Sequence, residues 1–144
     1  MPSWSLDQIA RRLEAAGHRL TRTRQTVVRA VLESPAHFTV DELGRGIPRV
    51  GRATLFRTMK LLQEIDVVCR VLMEDGSLHY RLSTRGHHHH LVCTSCGQVE
   101  DFFDGEIRRL IDELGHSTNY RIEGHWLDVH GRCQACVALE EAAR

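Results

Sequence analysis

No run of this chain approaches the roughly 20 consecutive apolar residues that span a bilayer. The N-terminus has polar and charged residues where a secretory signal would have an apolar core. The expectation is a cytoplasmic protein with no membrane partner. A glycine-rich phosphate loop is missing too, as is any pairing of nucleophile and base, so the reading is of a protein that is not an enzyme. Net charge is also absent, with 19 Lys and Arg against 19 Asp and Glu. That balance hides a division near Arg85: 14 basic residues face 9 acidic ones up to that point, and 5 face 10 after it. The first part can approach a polyanion while the second repels one. With 144 residues and 42% hydrophobic content, the chain suits one ordinary domain or two small ones, not a disordered segment.

An even set of cysteines is lacking as well. Of five, Cys93, Cys96, Cys133 and Cys136 form two CxxC pairs, and Cys69 is left over. Each CxxC lets two thiolates bind one ion from a tight turn, and two such turns complete the closed tetrahedral shell of a structural zinc. Thioredoxin-like redox chemistry uses a single CxxC at a helix start. Cys69 reads as a small, buried apolar residue.

The first half reads as helices followed by a hairpin. Ser5 to Gln8 is a capping box, and Leu6, Ile9, Leu13 and Ala16 follow at helical spacing until Gly17. A second helix is expected over about 21–34, with Val27, Val28, Val31 and Leu32 on one face and Pro35 as its stop. Thr39 to Glu42 is another capping box, opening a short helix that ends near Gly46, Ile47 and Pro48. A fourth helix spans about 52–64 and buries Leu55, Met59 and Leu62. Arg52, Thr54, Phe56, Arg57 and Lys60 are left to point elsewhere. Strands at 67–73 and 78–82 flank Glu74-Asp75-Gly76-Ser77, a hairpin turn. Helices, a basic last helix and a hairpin describe a winged helix-turn-helix, whose last helix enters the major groove of double-stranded DNA. The basic face also suits an ordinary solvated helix, and Phe56 either meets a thymine methyl or joins the core.

After a hinge at 84–86, His87-His88-His89-His90 leads into a strand, the Cys93 knuckle and a returning strand to Phe102. A helix from Glu106 to Leu114 stops at Gly115. A long strand then runs from Tyr120 to His130, and Cys133 and Cys136 precede a short polar tail. If the histidine tract is extended, His88 and His90 share one face and His87 and His89 the other. One tetrapeptide then serves two nitrogen-rich sites suited to Fe(II), Mn(II), Zn(II) or Ni(II). A solvated histidine run that binds metal adventitiously has the same sequence.

HFTVDEL from His37, GRATLFRTMKLL from Gly51, HHHHLVCTSCGQVEDF from His87 and the pair at Cys133 and Cys136 together resemble the ferric uptake regulator (Fur) superfamily. Members are dimeric metal-responsive repressors. The resemblance covers almost the whole chain. It implies an α+β architecture: a winged-helix DNA-binding domain over 1–83, and a small metal-binding α/β dimerisation domain over 87–144 carrying the four-cysteine zinc site. It also implies a regulatory site from His37, His88, His90 and Asp101, and a second site from His87, His89 and His125. Arg19, Phe56 and Arg57 match positions that contact DNA, to which the helix pattern adds Arg52, Thr54 and Lys60. The regulatory ion is expected to be Fe(2+), with Mn(2+) or Zn(2+) as alternatives.

Three departures stand out. Arg81 and Leu82 occupy the place of a carboxylate or cysteine ligand, leaving His79, Cys69 or water as substitutes; a Cys69 ligand would favour zinc. Arg108 replaces a glutamate of the second site, for which Asp104 or Glu106 could stand in. Asp101 replaces a glutamate and resembles the peroxide-responsive branch, in which bound Fe(II) is oxidised by peroxide with damage to a ligand histidine. The expectation is a homodimeric repressor bound to an operator and controlling metal-uptake or oxidative-stress genes. Its competitors are a zinc- or peroxide-responsive repressor of the same superfamily, a metal-storage or delivery protein, and a metalloenzyme using an open histidine site.

Overall fold

The computed structural model describes residues 4–84 and 86–144 and divides into two compact units, 1–86 and 87–144. Arg85, central to the expected hinge, lies outside the described residues.

In the first unit, α1 (Leu6–Ala15), α2 (Arg22–Glu33), α3 (Val40–Gly46) and α4 (Arg52–Glu64) precede an antiparallel hairpin of β1 (Val68–Leu72) and β2 (Leu78–Leu82). The capping residues act as expected. Ser5 and Gln8 form a reciprocal capping box, as do Thr39 and Glu42, and Thr21 accepts a bond from the Arg24 amide. Gly17 ends the first helical segment at φ +82°, and Gly76 turns the hairpin at φ +82°, a region where a Cβ is costly. Ile9, Leu13, Val27, Val28, Val31, Phe38, Met59 and Leu62 are all but fully buried in one core. At about 1.5–3 kcal/mol per such side chain, this core is the main force holding the four helices together. Trp4 joins it and donates its indole N–H to the Ser83 carbonyl at 2.8 Å.

The second unit contains β3 (His89–Cys93), β4 (Val99–Phe102), α5 (Gly105–Thr118), β5 (Asp128–Gly131) and α6 (Gln134–Ala142). Its sheet has the order β4-β3-β5, with β4 antiparallel and β5 parallel to β3.

Two expectations fail here. The long strand over 120–130 reduces to Asp128–Gly131, because β3 pairs with it only from His90 to Cys93 and, among the described residues, 120–127 have no partner strand. Gly115 does not stop α5, which continues to Thr118 and ends at Asn119 with φ +58°. Gly115 serves packing instead: a Cβ there would lie 3.1 Å from Ile122 Cγ1 and 3.2 Å from the Tyr120 carbonyl oxygen. The polar tail is helical: α6 follows its cap Cys133 and is built from good helix formers.

Candidate metal centres and nucleic-acid interface

Cys93 ends β3, and the chain turns through Gly97 at φ +75° with its amide bonded to the Cys93 carbonyl, returning Cys96 towards the strand end. Cys133 caps α6, and Cys136 lies within its first turn. The Sγ atoms of Cys93 and Cys136 are 3.8 Å apart and those of Cys96 and Cys133 3.9 Å apart, and all four fall within 4.8 Å of one another. Bonds of about 2.3 Å to a tetrahedral ion separate sulfurs by roughly 3.8 Å, so the four can hold one ion. The amides of Cys133 and Cys96 point at the Cys93 sulfur from 3.3 and 3.5 Å. They hold its thiol down to about 6, while the neighbouring Cys133 thiol, burial and the other two sulfurs push Cys136 up to about 12. Crowded thiols of this kind ionise together only when a cation offsets their charge.

The register of β3 builds a second cluster. His90 pairs with Asp101 on β4 and with Asp128 on β5. His90 Nε2 is 3.7 Å from Asp101 Oδ1, and His90 Nδ1 is 2.8 Å from Asp128 Oδ1. The His88 ring lies 4.9 Å from that of His90. Burial holds His90 below its ordinary basicity although Asp128 opposes the shift, which favours the neutral, ligating form. Asp128 was not foreseen. Its only sequence signal is a lone acidic residue in the otherwise apolar run from Trp126 to Val129.

On the opposite face, His87, His89 and His125 gather with ligand atoms within 4.8 Å, and the Nε2 atoms of His87 and His125 are 3.0 Å apart. His89 is 2% exposed, and its Nδ1 is buried without a hydrogen-bond partner. A buried nitrogen left so is costly unless an ion takes it. Burial first, then the neighbouring histidines, lower the basicity of His87 and His89, and Arg108 adds to the effect at His87. The split of the tract between two faces therefore appears in the structure, although β3 begins only at His89. The acidic stand-ins are otherwise engaged: Asp104 caps α5 through the Glu106 amide, and Glu106 pairs with Arg109.

In the first unit, reciprocal backbone bonds between Phe38 and Tyr80 form an isolated bridge that draws His37 to the hairpin. His37 Nδ1 lies 2.7 Å from His79 Nδ1. Burial and then His37 lower the basicity of His79. Cys69 is half-buried in β1.

The nucleic-acid candidates lie on α4 and before α2. Phe56 is 42% exposed, which removes it from the core. The Arg52 guanidinium stacks over its ring at 5.1 Å and also pairs with Asp41 at 2.6 Å. Arg57 donates to Thr54, and Phe56, Arg57 and Lys60 line an open groove with Arg70 from β1. Arg70 was missed because it reaches this groove only through the hairpin's fold. Arg19 is exposed in the loop before α2, where its carbonyl accepts a bond from Arg24.

A winged-helix unit followed by a unit with a four-cysteine cluster and two histidine clusters defines a metal-dependent DNA-binding regulator. The chain belongs to the ferric uptake regulator family, whose profile matches residues 15–130. It is similar to the ferric uptake regulation protein of Bacillus subtilis, with 31% identity over 94% of this chain and 96% of the relative. It is also similar to the peroxide-responsive repressor PerR of Staphylococcus epidermidis, with 26% identity over 91% and 89%. A solved zinc uptake regulator complexed with zinc and DNA shares the fold, with TM-score 0.75, 21% identity and coverage of 94% and 95%. The chain is accordingly a metal-dependent transcriptional repressor, not an enzyme. Among the described residues, no helix is long and apolar enough to cross a membrane.

Proposed function

We propose that the protein is a cytoplasmic, homodimeric repressor that binds a double-stranded DNA operator when a divalent ion, Fe(2+) favoured over Mn(2+) or Zn(2+), fills a regulatory site. Cys93, Cys96, Cys133 and Cys136 hold a structural zinc, which the near-tetrahedral sulfur spacing supports. The ligands of the regulatory site are the set the resemblance implies: His37, His88, His90 and Asp101. The observation that carries this reading is the 3.7 Å approach of His90 Nε2 to Asp101 Oδ1. It is too long for a hydrogen bond and close to the roughly 3.4 Å between two ligands of one tetrahedral ion. Nitrogen and carboxylate donors without thiolate suit Fe(2+) or Mn(2+). A Cys69 ligand in place of the missing carboxylate would shift the preference to zinc. His87, His89 and His125 form a second site, supported by the unpartnered Nδ1 of His89.

In this reading, occupancy of the regulatory site is linked to how the winged helices meet successive major-groove faces. If the DNA-competent form binds the ion a hundredfold better, reciprocity demands about 3 kcal/mol of coupling to DNA. Arg19, Arg52, Thr54, Phe56, Arg57, Lys60 and the groove residue Arg70 make the DNA face. The dimer is supported by apolar side chains left in solvent on the second unit: Leu110 is 64% exposed, Trp126 74% and Leu139 71%.

The deciding experiment is an anaerobic titration of zinc-loaded protein with Fe(II), Mn(II), Zn(II) and Ni(II), following operator affinity. One ion raising affinity at least tenfold is expected; indifference to all four would overturn the reading. Peroxide is then added to the iron form. Loss of DNA binding would place the protein among metal-uptake or oxidative-stress regulators of the peroxide-responsive type, as Asp101 suggests.

A further inference from the structure

We infer that Asp128 is a positioning residue for the regulatory ion: its carboxylate accepts a hydrogen bond from His90 Nδ1–H and so places the ring's lone pair on Nε2, the nitrogen on the Asp101 side. The inference rests on the reading of His90 and Asp101 as ligands of that ion.

The geometry comes from the backbone. Parallel pairing sets Asp128 opposite His90, fixed by the His90 amide bonding the Leu127 carbonyl at 3.2 Å and the Thr94 amide bonding that of Gly131 at 2.7 Å. The His90 and Asp128 side chains are only 6% and 15% exposed, and their Nδ1–Oδ1 distance of 2.8 Å is that of a charge-assisted bond. A neutral imidazole has one protonated nitrogen and one lone-pair nitrogen, and an acceptor fixed at one nitrogen places the proton there. An ionised carboxylate can only accept, so it selects the Nδ1–H tautomer. His90 Nε2 then carries the lone pair, 3.7 Å from Asp101 Oδ1. Carboxylates that hold ligand histidines in this way are usually worth ten- to a hundredfold in metal affinity. Without Asp128, the Nε2–H tautomer would gain population. An edge strand that supplies no proposed regulatory ligand of its own would therefore set the readiness of the site.

Asp128→Asn preserves shape but offers an N–H to Nδ1, favouring the Nε2–H tautomer, in which the ligating nitrogen is blocked. The test uses full-length protein with the four-cysteine site zinc-loaded. Long-range 1H–15N NMR of the histidine rings reads the tautomer before Co(II) is added, and Co(II) absorption then reads affinity. In the wild type, His90 is expected as Nδ1–H. In Asp128→Asn, Nε2–H is expected together with a ten- to hundredfold loss of Co(II) affinity, and Asp128→Glu should recover most of it.

A wild-type His90 protonated at Nε2 would overturn the inference without any variant. So would an Asp128→Asn protein that binds Co(II) within twofold of wild type while His90→Ala does not. A loss above a thousandfold with Nδ1–H retained would make Asp128 a ligand itself, which also overturns a positioning role. If His90→Ala binds Co(II) as well as wild type, the regulatory-site reading has failed, and this inference with it.

Discussion

His37 and His79 face each other nitrogen to nitrogen, 2.7 Å apart, although 42 residues separate them in the chain. The Phe38–Tyr80 bridge makes this contact, and it places a second imidazole two residues before Arg81. His79 is thereby a donor within the same unit as His37 that can replace the carboxylate Arg81 does not supply. His79→Ala should then weaken metal-stimulated operator binding about as much as His37→Ala, roughly tenfold or more, with the zinc content and thermal melt unchanged. Operator binding that responds to metal normally in His79→Ala would leave the place to Cys69 or water.

His90→Ala should abolish most of the metal stimulation of DNA affinity while leaving the zinc and the fold intact. Fluorescence anisotropy with labelled operator, with and without the activating ion, checks this. Because His90 of β3 lies between Asp101 of β4 and Asp128 of β5, some loss of thermal stability is also expected, on the order of 1–3 kcal/mol from the lost hydrogen bond to the Asp128 carboxylate.

Cys96→Ser should release the ion and unravel the second unit, since the formation of such sites is coupled to folding. Circular dichroism and zinc content should fall together. A zinc-free protein with an unchanged melt would show that the four sulfurs are not what holds β3, β5 and α6 together.

Arg57→Ala should cost roughly 1–3 kcal/mol of specific operator binding and leave dimerisation unaltered. Arg70→Ala should weaken binding evenly across DNA sequences and lower the salt dependence by about one ion, as expected for a phosphate contact from the wing. Equal loss across all sequences for Arg57→Ala would move that residue to the phosphate class.

Gly115→Ala tests packing against propensity. Alanine gains about 1 kcal/mol in a helix interior, but its Cβ meets the Tyr120 carbonyl oxygen at 3.2 Å, and backbone yields less readily than a side chain. A lower melting temperature is expected; a higher one would show that the loop over 120–122 simply moves.

The first unit was legible because its signals are local. Capping boxes at Ser5 and Thr39, and a stripe at Leu55, Met59 and Leu62, mark helices without reference to the rest of the chain. The site was legible in part for the same reason: alternation along four histidines needs only an extended backbone. What could not be read depended on distant partners. The extent of β5 follows from the length of β3, Gly115 answers to Ile122 instead of ending a helix, and Asp128 has meaning only once a parallel register sets it beside His90. Charge and composition in the sequence carry none of these.

Neither α5 nor α6 has a buried residue, although both carry leucines. If two copies meet over these bare helices, as proposed above, the unit's free energy of folding contains a concentration. Its melting temperature should rise with protein concentration, and dilution alone should loosen it. A cell holding few copies would then relieve repression even with metal in excess, which makes the abundance of this regulator a second input beside the ion.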